Sequence, residues 1–291
     1  MKTQLPGESS GAIGVACAVA AAAAFSTAGV IVRRVELPAW DVSFWRSLLM
    51  MLAIAPLLVW QRRETWIAVR NGGASLVASG VALAGSMVAF ILALGLAPVA
   101  NVLIMFGATP FITALLARLI LAEPLHRHTM VAMAVGASGL VLSVAGSLRS
   151  GAAPGMAVAF IVVICISANY VIVRRRRDVG MTPSLALAGL FAALVSLPFA
   201  DPSAVTTRDF PWLLALGPGQ LAVGLLLYIA ALKRIPAGRA ALLGLLELVL
   251  GPIWVWLFDG ERPGDLTLLG GVVVIGSAAA NVWLDSRRPT G

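Results

Sequence analysis

Long stretches without charge dominate the sequence, and short charged or polar breaks separate them. A transmembrane helix needs about 20 predominantly apolar residues. Uncharged stretches of this length cover residues 9–32, 129–148, 150–173, 179–200, 210–232 and 266–284. The stretch 71–117 is long enough for about two helices and breaks at Pro98. Residues 42–60 and 240–258 carry one charge each, Arg46 and Glu247. The pattern predicts about ten transmembrane helices.

Composition points to the same class of protein. Of the 291 residues, 60% are hydrophobic and only 12% are charged. A soluble domain cannot bury that much apolar surface. None of the stretches alternates polar and apolar residues as a transmembrane β-strand does. We therefore expect an all-α membrane protein that has the lipid bilayer as its solvent.

Basic residues lie at the ends of the apolar stretches and predict the orientation of the chain. The formal net charge is +8. If the N-terminus is cytoplasmic, 13 Lys and Arg residues lie in loops on that side and 5 on the other, while Arg46, Arg118 and Arg239 lie within helices. Cytoplasmic loops carry the excess of Lys and Arg, which predicts that both termini are cytoplasmic. Because the charge follows topology, nucleic acid is not expected as a partner.

Two short matches reveal an internal repeat. The segment Val-Ile-Val-Arg-Arg at 30–34 recurs at 171–175, a shift of 141 residues. A second set of matches, at a shift of 138 residues, pairs Pro98 with Pro236 and Glu123 with Glu261. Two registers that agree within a few residues indicate duplication of one structural unit.

The repeat predicts two domains, residues 1–148 and 149–291, with five helices each. With five helices per half, the second half enters the membrane from the side opposite to the first, so the repeats are inverted. Many secondary transporters are built in this way, with the substrate site near the midplane between the halves and access that alternates as the halves rock.

Motifs in both halves resemble the conserved pattern of the drug/metabolite transporter superfamily. In the first half they are Pro110, Leu-Ala-Glu-Pro at 121–124, Gly136 and Gly139; in the second half they are Pro252, Asp-Gly-Glu at 259–261, Pro263, Gly271 and Gly276. Trp45 and Arg46 are similar to the family's arginine region near the outer end of the second helix. The resemblance covers the whole chain as two EamA-type domains.

The resemblance implies a carrier of drugs or metabolites, commonly an exporter of amino acids or related compounds. Among bacterial members the chain is most similar to inner-membrane exporters of aromatic amino acids, which implies an inner-membrane location. The small multidrug relatives carry an essential Glu in the first helix. Here no charge lies between Glu8 and Arg33, which disfavours their proton-exchange mechanism for this chain.

Glu247, near the middle of the ninth helix, is the first candidate for the substrate site, because ionisable groups at membrane depth are costly and usually functional. It could carry a proton or bind a substrate ammonium group. The structural alternative is an ion pair with Arg239.

Two repeat-related helices carry polar triplets that predict a shared cavity. At the shift of 138, the triplet Arg239, Leu243 and Glu247 aligns with Asn101, Met105 and Thr109. Each triplet has the i, i+4, i+8 spacing of one helix face. For Asn101 the alternative role is a hydrogen bond between helices.

Further candidate substrate-binding residues lie on the eighth, sixth and first helices. Gln220 and Tyr228 share a face that follows a break at Gly217-Pro-Gly219, and such a break either frees backbone groups for a ligand or supplies a hinge. The remaining candidates are Ser26, Ser167, Asn169 and Tyr170. For the two serines, a hydrogen bond back to their own helix is the favoured interpretation.

Trp254, Phe106 and Arg46 each have two interpretations. Trp254 or Phe106 could stack on an aromatic substrate, but interfacial anchoring is the favoured role for most tryptophans. Arg46 could bind a carboxylate bidentately; extension to the membrane interface is favoured.

Other conspicuous residues are interpreted as structural. Glu123 and Glu261 precede proline-initiated helices and are expected to satisfy free amides there. His126 and His128 have no further ligands nearby in sequence, so no metal site is expected. Cys17 and Cys165 fall within apolar helices and behave as small hydrophobes.

The leading hypothesis is a secondary exporter of small metabolites, most of all aromatic and neutral amino acids. No P-loop occurs in the sequence, so ATP does not drive transport through this chain alone. No cofactor is implied, and a monomer is expected because one chain holds both halves. The alternative is a proton-coupled antiporter of drugs or cations. A membrane-embedded enzyme or a non-transporting scaffold is a remote alternative. The enzyme is disfavoured because the core offers neither His nor Asp. A channel is disfavoured because the sequence has no rings of charge.

Overall fold

The protein is helical throughout the residues that the computed structural model describes, which are 8–122, 127–149, 151–176, 178–235 and 237–286. No strand occurs in these ranges. Of the residues discussed above, Glu123, Pro124, His126 and Pro236 lie outside them.

Fifteen α-helices are described within these ranges. In chain order they are α1 (Glu8–Ser26), α2 (Ala28–Arg33), α3 (Ala39–Trp60), α4 (Arg62–Gly72), α5 (Ala74–Leu96), α6 (Val99–Phe106), α7 (Thr109–Leu121), α8 (Arg127–Arg149), α9 (Ala153–Arg175), α10 (Pro183–Ser196), α11 (Phe210–Leu214), α12 (Val223–Leu232), α13 (Ala237–Gly244), α14 (Leu246–Asp259) and α15 (Asp265–Ser286). Two 3₁₀ turns, Leu197–Phe199 and Pro202–Ala204, follow α10, and a π-helical segment, Ala215–Ala222, joins α11 to α12.

Eight helical stretches in the described part of the chain are long and apolar enough to cross a membrane. The segment Pro183–Phe199 is apolar but shorter, and the segment 237–259 is divided into α13 and α14 at Leu245. These two segments account for the difference from the count of about ten predicted from charge-free length. The prediction of an all-α membrane protein made of two repeats is confirmed.

Helix ends reproduce the repeat in backbone geometry. Ala97 precedes Pro98 and is extended (φ −148°, ψ 158°), so α5 ends and α6 begins there. Ala122 ends α7 with φ 55°, and Gly260 ends α14 with φ 68°. These two positions are related by the shift of 138, so equivalent helices in the two repeats finish with the same left-handed cap.

Packing between the halves also follows the repeat. A Cβ atom at Gly14 of α1 would lie 2.7 Å from a side-chain carbon of Ile235, and one at Gly155 of α9 would lie 2.8 Å from the backbone nitrogen of Ala97. Gly14 corresponds to Gly155 at the shift of 141, and Ala97 corresponds to Ile235 at the shift of 138. Accordingly, α1 packs on α12 as α9 packs on α5. The boundary between residues 148 and 149 stays a prediction.

Loops gather at two opposite faces of the helix bundle. At the distal face, which we define as the end where α2 finishes, Arg33, residues 94–98, residues 151–152 and Glu261 border one cleft of about 280 Å³. At the proximal face, where α1 begins, Arg176 donates to the carbonyl oxygen of Asn71 (2.7 Å). Arg176 also bonds Asp178 and holds the pKa of that carboxyl below its ordinary value. The helix bundle therefore has two ends, which are called the distal face and the proximal face below.

Candidate functional site

Two repeat-related helices are interrupted near their middles. The first interruption separates α6 from α7 at Gly107 and Ala108, and the second separates α13 from α14 at Leu245. Gly107 and Leu245 correspond at the shift of 138. The amide of Ala108 donates to the carbonyl of Met105 (3.0 Å), an i to i−3 bond that tightens the chain here.

These interruptions correct the assumption of straight helix faces. Asn101 and Met105 lie on α6 before the break and are buried, whereas Thr109 begins α7 and is half-buried. Leu243 lies before the break in the second repeat and Glu247 after it. Each triplet therefore extends across the interruption of its helix.

Glu247 lies in the first turn of α14 and is half-buried. Within the described part of the chain, its carboxylate makes no hydrogen bond and no ion pair. The alternative ion pair with Arg239 is not formed, because Arg239 is exposed on α13, on the other side of the interruption at Leu245. Tyr170 and Arg46 lie within electrostatic range of Glu247 instead.

Two tyrosines of the second repeat lie in the neighbourhood of this carboxylate. Tyr170 of α9 is within electrostatic range of both Glu247 and Tyr228 of α12. Tyr170 is itself 44% exposed. Tyr228 packs against the same small apolar cluster as Leu243. The structure therefore brings Tyr170, Tyr228, Leu243 and Glu247 together.

Arg46 forms a second polar centre with Gln220. One Nη2 proton of Arg46 is donated to Oε1 of Gln220 (3.3 Å). The amide nitrogen of Gln220 donates to the carbonyl of Phe25 (3.3 Å). The guanidinium carbon of Arg46 lies 5.5 Å from the centre of the Phe90 ring, which stacks on Phe106 at 5.5 Å. These contacts join α1, α3, α5, α6 and the π-helical segment.

Arg46 does not reach the membrane interface, contrary to the expectation from the sequence. Only 3% of its surface is exposed. Its Nε is buried without a hydrogen-bond acceptor among the described residues. Arg46 stands out in the sequence as the single charge of the stretch 42–60. A single charge does not show whether its helix face points into the bundle or towards the membrane interface. The sequence gives no sign of the contact between Phe90 and Arg46, because Phe90 is one phenylalanine among many apolar residues.

Ser26 and Trp254 form a contact near the break between α1 and α2. The Ser26 hydroxyl donates to the carbonyl of Ala23 (2.7 Å), as expected for a serine that bonds its own helix. The indole nitrogen of Trp254 donates to Ser26 Oγ (3.0 Å). Trp254 is half-buried, whereas Trp256 is exposed. Trp254 therefore turns into the bundle, away from the interfacial position that is favoured for most tryptophans.

Asn169 and Ser167 take part in contacts between helices. Ser79 donates to Oδ1 of Asn169 (2.6 Å) and approaches the hydroxyl of Ser184 (3.1 Å). The hydroxyl of Ser167 donates to the carbonyl of Thr109 (3.4 Å). These bonds join α9 to α5, α10 and α7, which is the helix-linking role of buried polar groups in membranes.

The charges of the site do not recur in the repeat. Thr109 occupies the position equivalent to Glu247, and Ala82 occupies the position equivalent to Gln220. Helix α10, the counterpart of α3, has no charged residue at all. Residues that the fold requires are expected in both copies, so this asymmetry favours a functional role for Arg46, Gln220 and Glu247.

Ion pairs link the two halves at the distal face. Arg33 bonds Glu261 at 2.9 Å, and Arg34 bonds Asp259 at 3.1 Å. Glu261 also accepts from the amide of Val99 at the start of α6 (2.8 Å). Glu261 thus satisfies a free amide, as expected for an acidic residue near a helix start, although the helix belongs to the other repeat.

A neighbouring loop at the distal face is held by Asp209. The Thr206 hydroxyl donates to Asp209 (2.6 Å), and this bond holds the pKa of Asp209 below its ordinary value. The other carboxylate oxygen accepts from the amide of Glu36 (3.2 Å). The start of α11 is thereby tied to the end of α2.

Removing the Arg33–Glu261 ion pair is expected to open the distal face. Glu261→Gln keeps an acceptor for Val99 but removes the charge, and a partly exposed ion pair contributes at most about 1 kcal/mol, roughly a fivefold population shift. The measurement is the alkylation rate of a cysteine at Ser26 in purified protein that lacks Cys17 and Cys165. We expect about a fivefold faster rate in Glu261→Gln.

The control is Arg262→Gln, because the Arg262–Asp265 pair (3.9 Å) lies within one repeat. Equal alkylation rates in the Glu261 and Arg262 variants would show that the ion pair between the repeats does not govern access.

No group of three His, Cys, Asp or Glu residues that could hold a metal occurs in the described ranges. Cys17 and Cys165 are both free thiols.

Comparison with known proteins gives matches in sequence and in fold. A model of the EamA-like transporter family matches residues 12–145 and again residues 153–283. The pseudopaline exporter CntI of Pseudomonas aeruginosa, from strains UCBPP-PA14 and PAO1, is 28% identical over 272 residues, which cover 90% of this chain and 93% of the relative. A protein crystal structure with 17% sequence identity superposes with a TM-score of 0.68, over 95% of this chain and 99% of that chain.

Proposed function

Because the chain belongs to the EamA-like transporter family, we propose that it exports aromatic and neutral amino acids across the inner membrane by alternating access. The family assignment makes it a multi-pass membrane transporter of small molecules. The name of the pseudopaline exporter supports export as the direction of transport. Amino acids are the substrate class that the chemistry of the central residues favours.

The observation that carries this proposal is the unpaired carboxylate of Glu247. A carboxylate at membrane depth is costly unless it faces a partner or a polar cavity, and no described residue pairs with it. A substrate ammonium group would supply the missing partner. Tyr170 and Tyr228 offer aromatic surface nearby, and Trp254 offers more about two helix turns away on α14, which suits an aromatic side chain.

The two repeats support an alternating-access mechanism. The equivalent breaks at Gly107 and Leu245 interrupt one helix in each half, as in transporters whose sites lie between inverted repeats. The distal face is held closed by ion pairs between the halves. Substrate enters from the proximal face in this state and leaves after the distal pairs break.

Orientation and assembly follow from the same proposal. The excess of basic residues at the proximal loops supports a cytoplasmic location for that face and for both termini. One chain supplies both repeats, so a monomer is the transporting unit, and no cofactor takes part. The candidate substrate-binding set remains Asn101, Met105, Thr109, Glu247, Leu243, Gln220, Tyr228, Ser26, Ser167, Asn169, Tyr170 and Trp254.

A second function, proton-coupled antiport of cationic drugs, uses the same carboxylate. Glu247 would then exchange a proton for a drug cation in each cycle. The positive charge of Arg46 within range of Glu247 disfavours a purely cationic ligand, because like charges repel at this distance.

Uptake into proteoliposomes separates these two functions. We expect saturable uptake of radiolabelled tryptophan, phenylalanine and threonine that is independent of a pH gradient. Empty liposomes give the background, and Ser138→Ala is the matched variant, because Ser138 is exposed and bonds only its own helix. Uptake of a cationic drug alone, driven by the gradient, would establish the antiporter instead.

A further inference from the structure

Arg46 is a buried cation whose hydrogen bonds are incomplete. It lies in α3 with 3% of its surface exposed, within a segment that spans the membrane. Its one hydrogen bond goes to an amide oxygen of Gln220, and Nε has no acceptor in the described part of the chain. A guanidinium has five N–H donors in a planar fork that matches a carboxylate. Most of this fork is therefore unused.

The contacts of Arg46 fix its position without neutralising its charge. Gln220 is itself anchored by the carbonyl of Phe25, and Phe90 lies beneath the guanidinium at 5.5 Å. An amide oxygen and an aromatic face are both neutral partners. The structure thus holds the guanidinium in place and leaves its charge available to an anion.

Glu247 is close to Arg46 but does not form an ion pair with it. The two side chains are within electrostatic range, yet neither direct bonding nor an ion pair occurs between them. A molecule with a carboxylate facing Arg46 and an ammonium group facing Glu247 would satisfy both.

The fold does not require either charge. The position equivalent to Glu247 in the other repeat is Thr109, and no charged residue occurs in the counterpart of α3. A structural counterion pair would be expected to touch, because a buried charge left unpaired is strongly destabilising. The separation of the two groups therefore points to a ligand.

We propose that Arg46 binds the carboxylate of the transported molecule and that Glu247 binds its ammonium group, so that the site selects zwitterions. This inference rests on the proposed function and deepens it, because Arg46 is added to the candidate site and the substrate class is defined by two charges. Gln220 and Phe90 act as positioning residues for Arg46.

Binding calorimetry with three related ligands tests this assignment. Tryptophan carries both charges, tryptamine lacks the carboxylate, and N-acetyltryptophan lacks the ammonium group. For purified native protein we expect tryptophan to bind at least about tenfold more tightly than either analogue, since a hydrogen bond to a charged group has this magnitude. In Arg46→Gln the preference over tryptamine is expected to disappear while the preference over N-acetyltryptophan remains.

Two further variants control this experiment. Arg118→Gln removes another helical arginine, which is exposed on α7, and is expected to keep the native preferences. Arg46→Lys keeps the positive charge but loses the planar fork. If Arg46→Gln folds too poorly to be measured, Arg46→Lys takes its place, and we expect it to keep only part of the native preference for tryptophan over tryptamine.

The outcomes distinguish this assignment from the transport function. Equal binding of tryptophan and tryptamine by the native protein would overturn the role of Arg46 even if amino acids are transported. Persistence of the preference in Arg46→Gln would do the same. Absence of tryptophan binding by the native protein, together with transport of a cationic drug alone, would overturn the proposed function as well.

Discussion

Replacing Glu247 with glutamine is expected to lower amino-acid transport at subsaturating substrate by roughly ten- to a hundredfold. The side chain keeps its size and loses its charge, so the change removes the partner of the substrate ammonium group. An interaction with a charged group contributes about 1.5–3 kcal/mol, which corresponds to this range. Since Glu247 has no described hydrogen bond or ion pair, the folded structure loses no contact when the charge is removed.

The measurement is the initial rate of tryptophan uptake into proteoliposomes across a range of substrate concentrations. Arg239→Gln is the matched control, because Arg239 precedes the break and is exposed. We expect the control to transport normally. If Arg239→Gln lost as much activity as Glu247→Gln, the two residues would act as a pair and Glu247 would be structural.

Replacing Gly270 with valine is expected to destabilise the protein by about 3 kcal/mol or more, the upper part of the range for overpacking. A Cβ atom at Gly270 of α15 would collide with the carbonyl oxygen of Gly139 in α8 and lie 2.9 Å from the amide nitrogen of Ser143. Both are backbone atoms, which cannot rotate away as a side chain would. The two helices would have to separate, and their contact joins the repeats.

The apparent Tm of purified protein in detergent measures this effect, with a decrease of several degrees expected. Gly276→Val on the same helix is the matched control, because a Cβ there meets nothing within 4 Å. The control carries the same change in helix propensity. Equal decreases in Tm for the two variants would assign the effect to helix propensity and not to the contact between α8 and α15.

Charge-free length predicted the class of fold well, because each apolar segment must satisfy its backbone hydrogen bonds within a helix to enter lipid. It did not predict where helices break. Leu245 is an ordinary apolar residue, and the only mark of an interruption beside it is Gly244, a weak helix former. The repeat could have suggested this break, since Gly107 occupies the equivalent position.

Periodicity predicted the candidate site only in part, for the same reason. The i, i+8 relation of Arg239 to Glu247 holds along a continuous helix, and the break removes it. Arg46 and Gln220 are 174 residues apart, so their contact depends on tertiary packing that no local pattern contains. The absence of these polar residues from the equivalent positions of the other repeat is the signal that the sequence offers.

Counterflow is the most direct measurement of the central claim. Proteoliposomes are loaded with unlabelled tryptophan and diluted into a trace of labelled tryptophan without a pH gradient. The proposed function predicts transient accumulation of label above its equilibrium level, which excess external phenylalanine suppresses. No accumulation with tryptophan, phenylalanine or threonine, together with uptake of a cationic drug that requires a pH gradient, would contradict it.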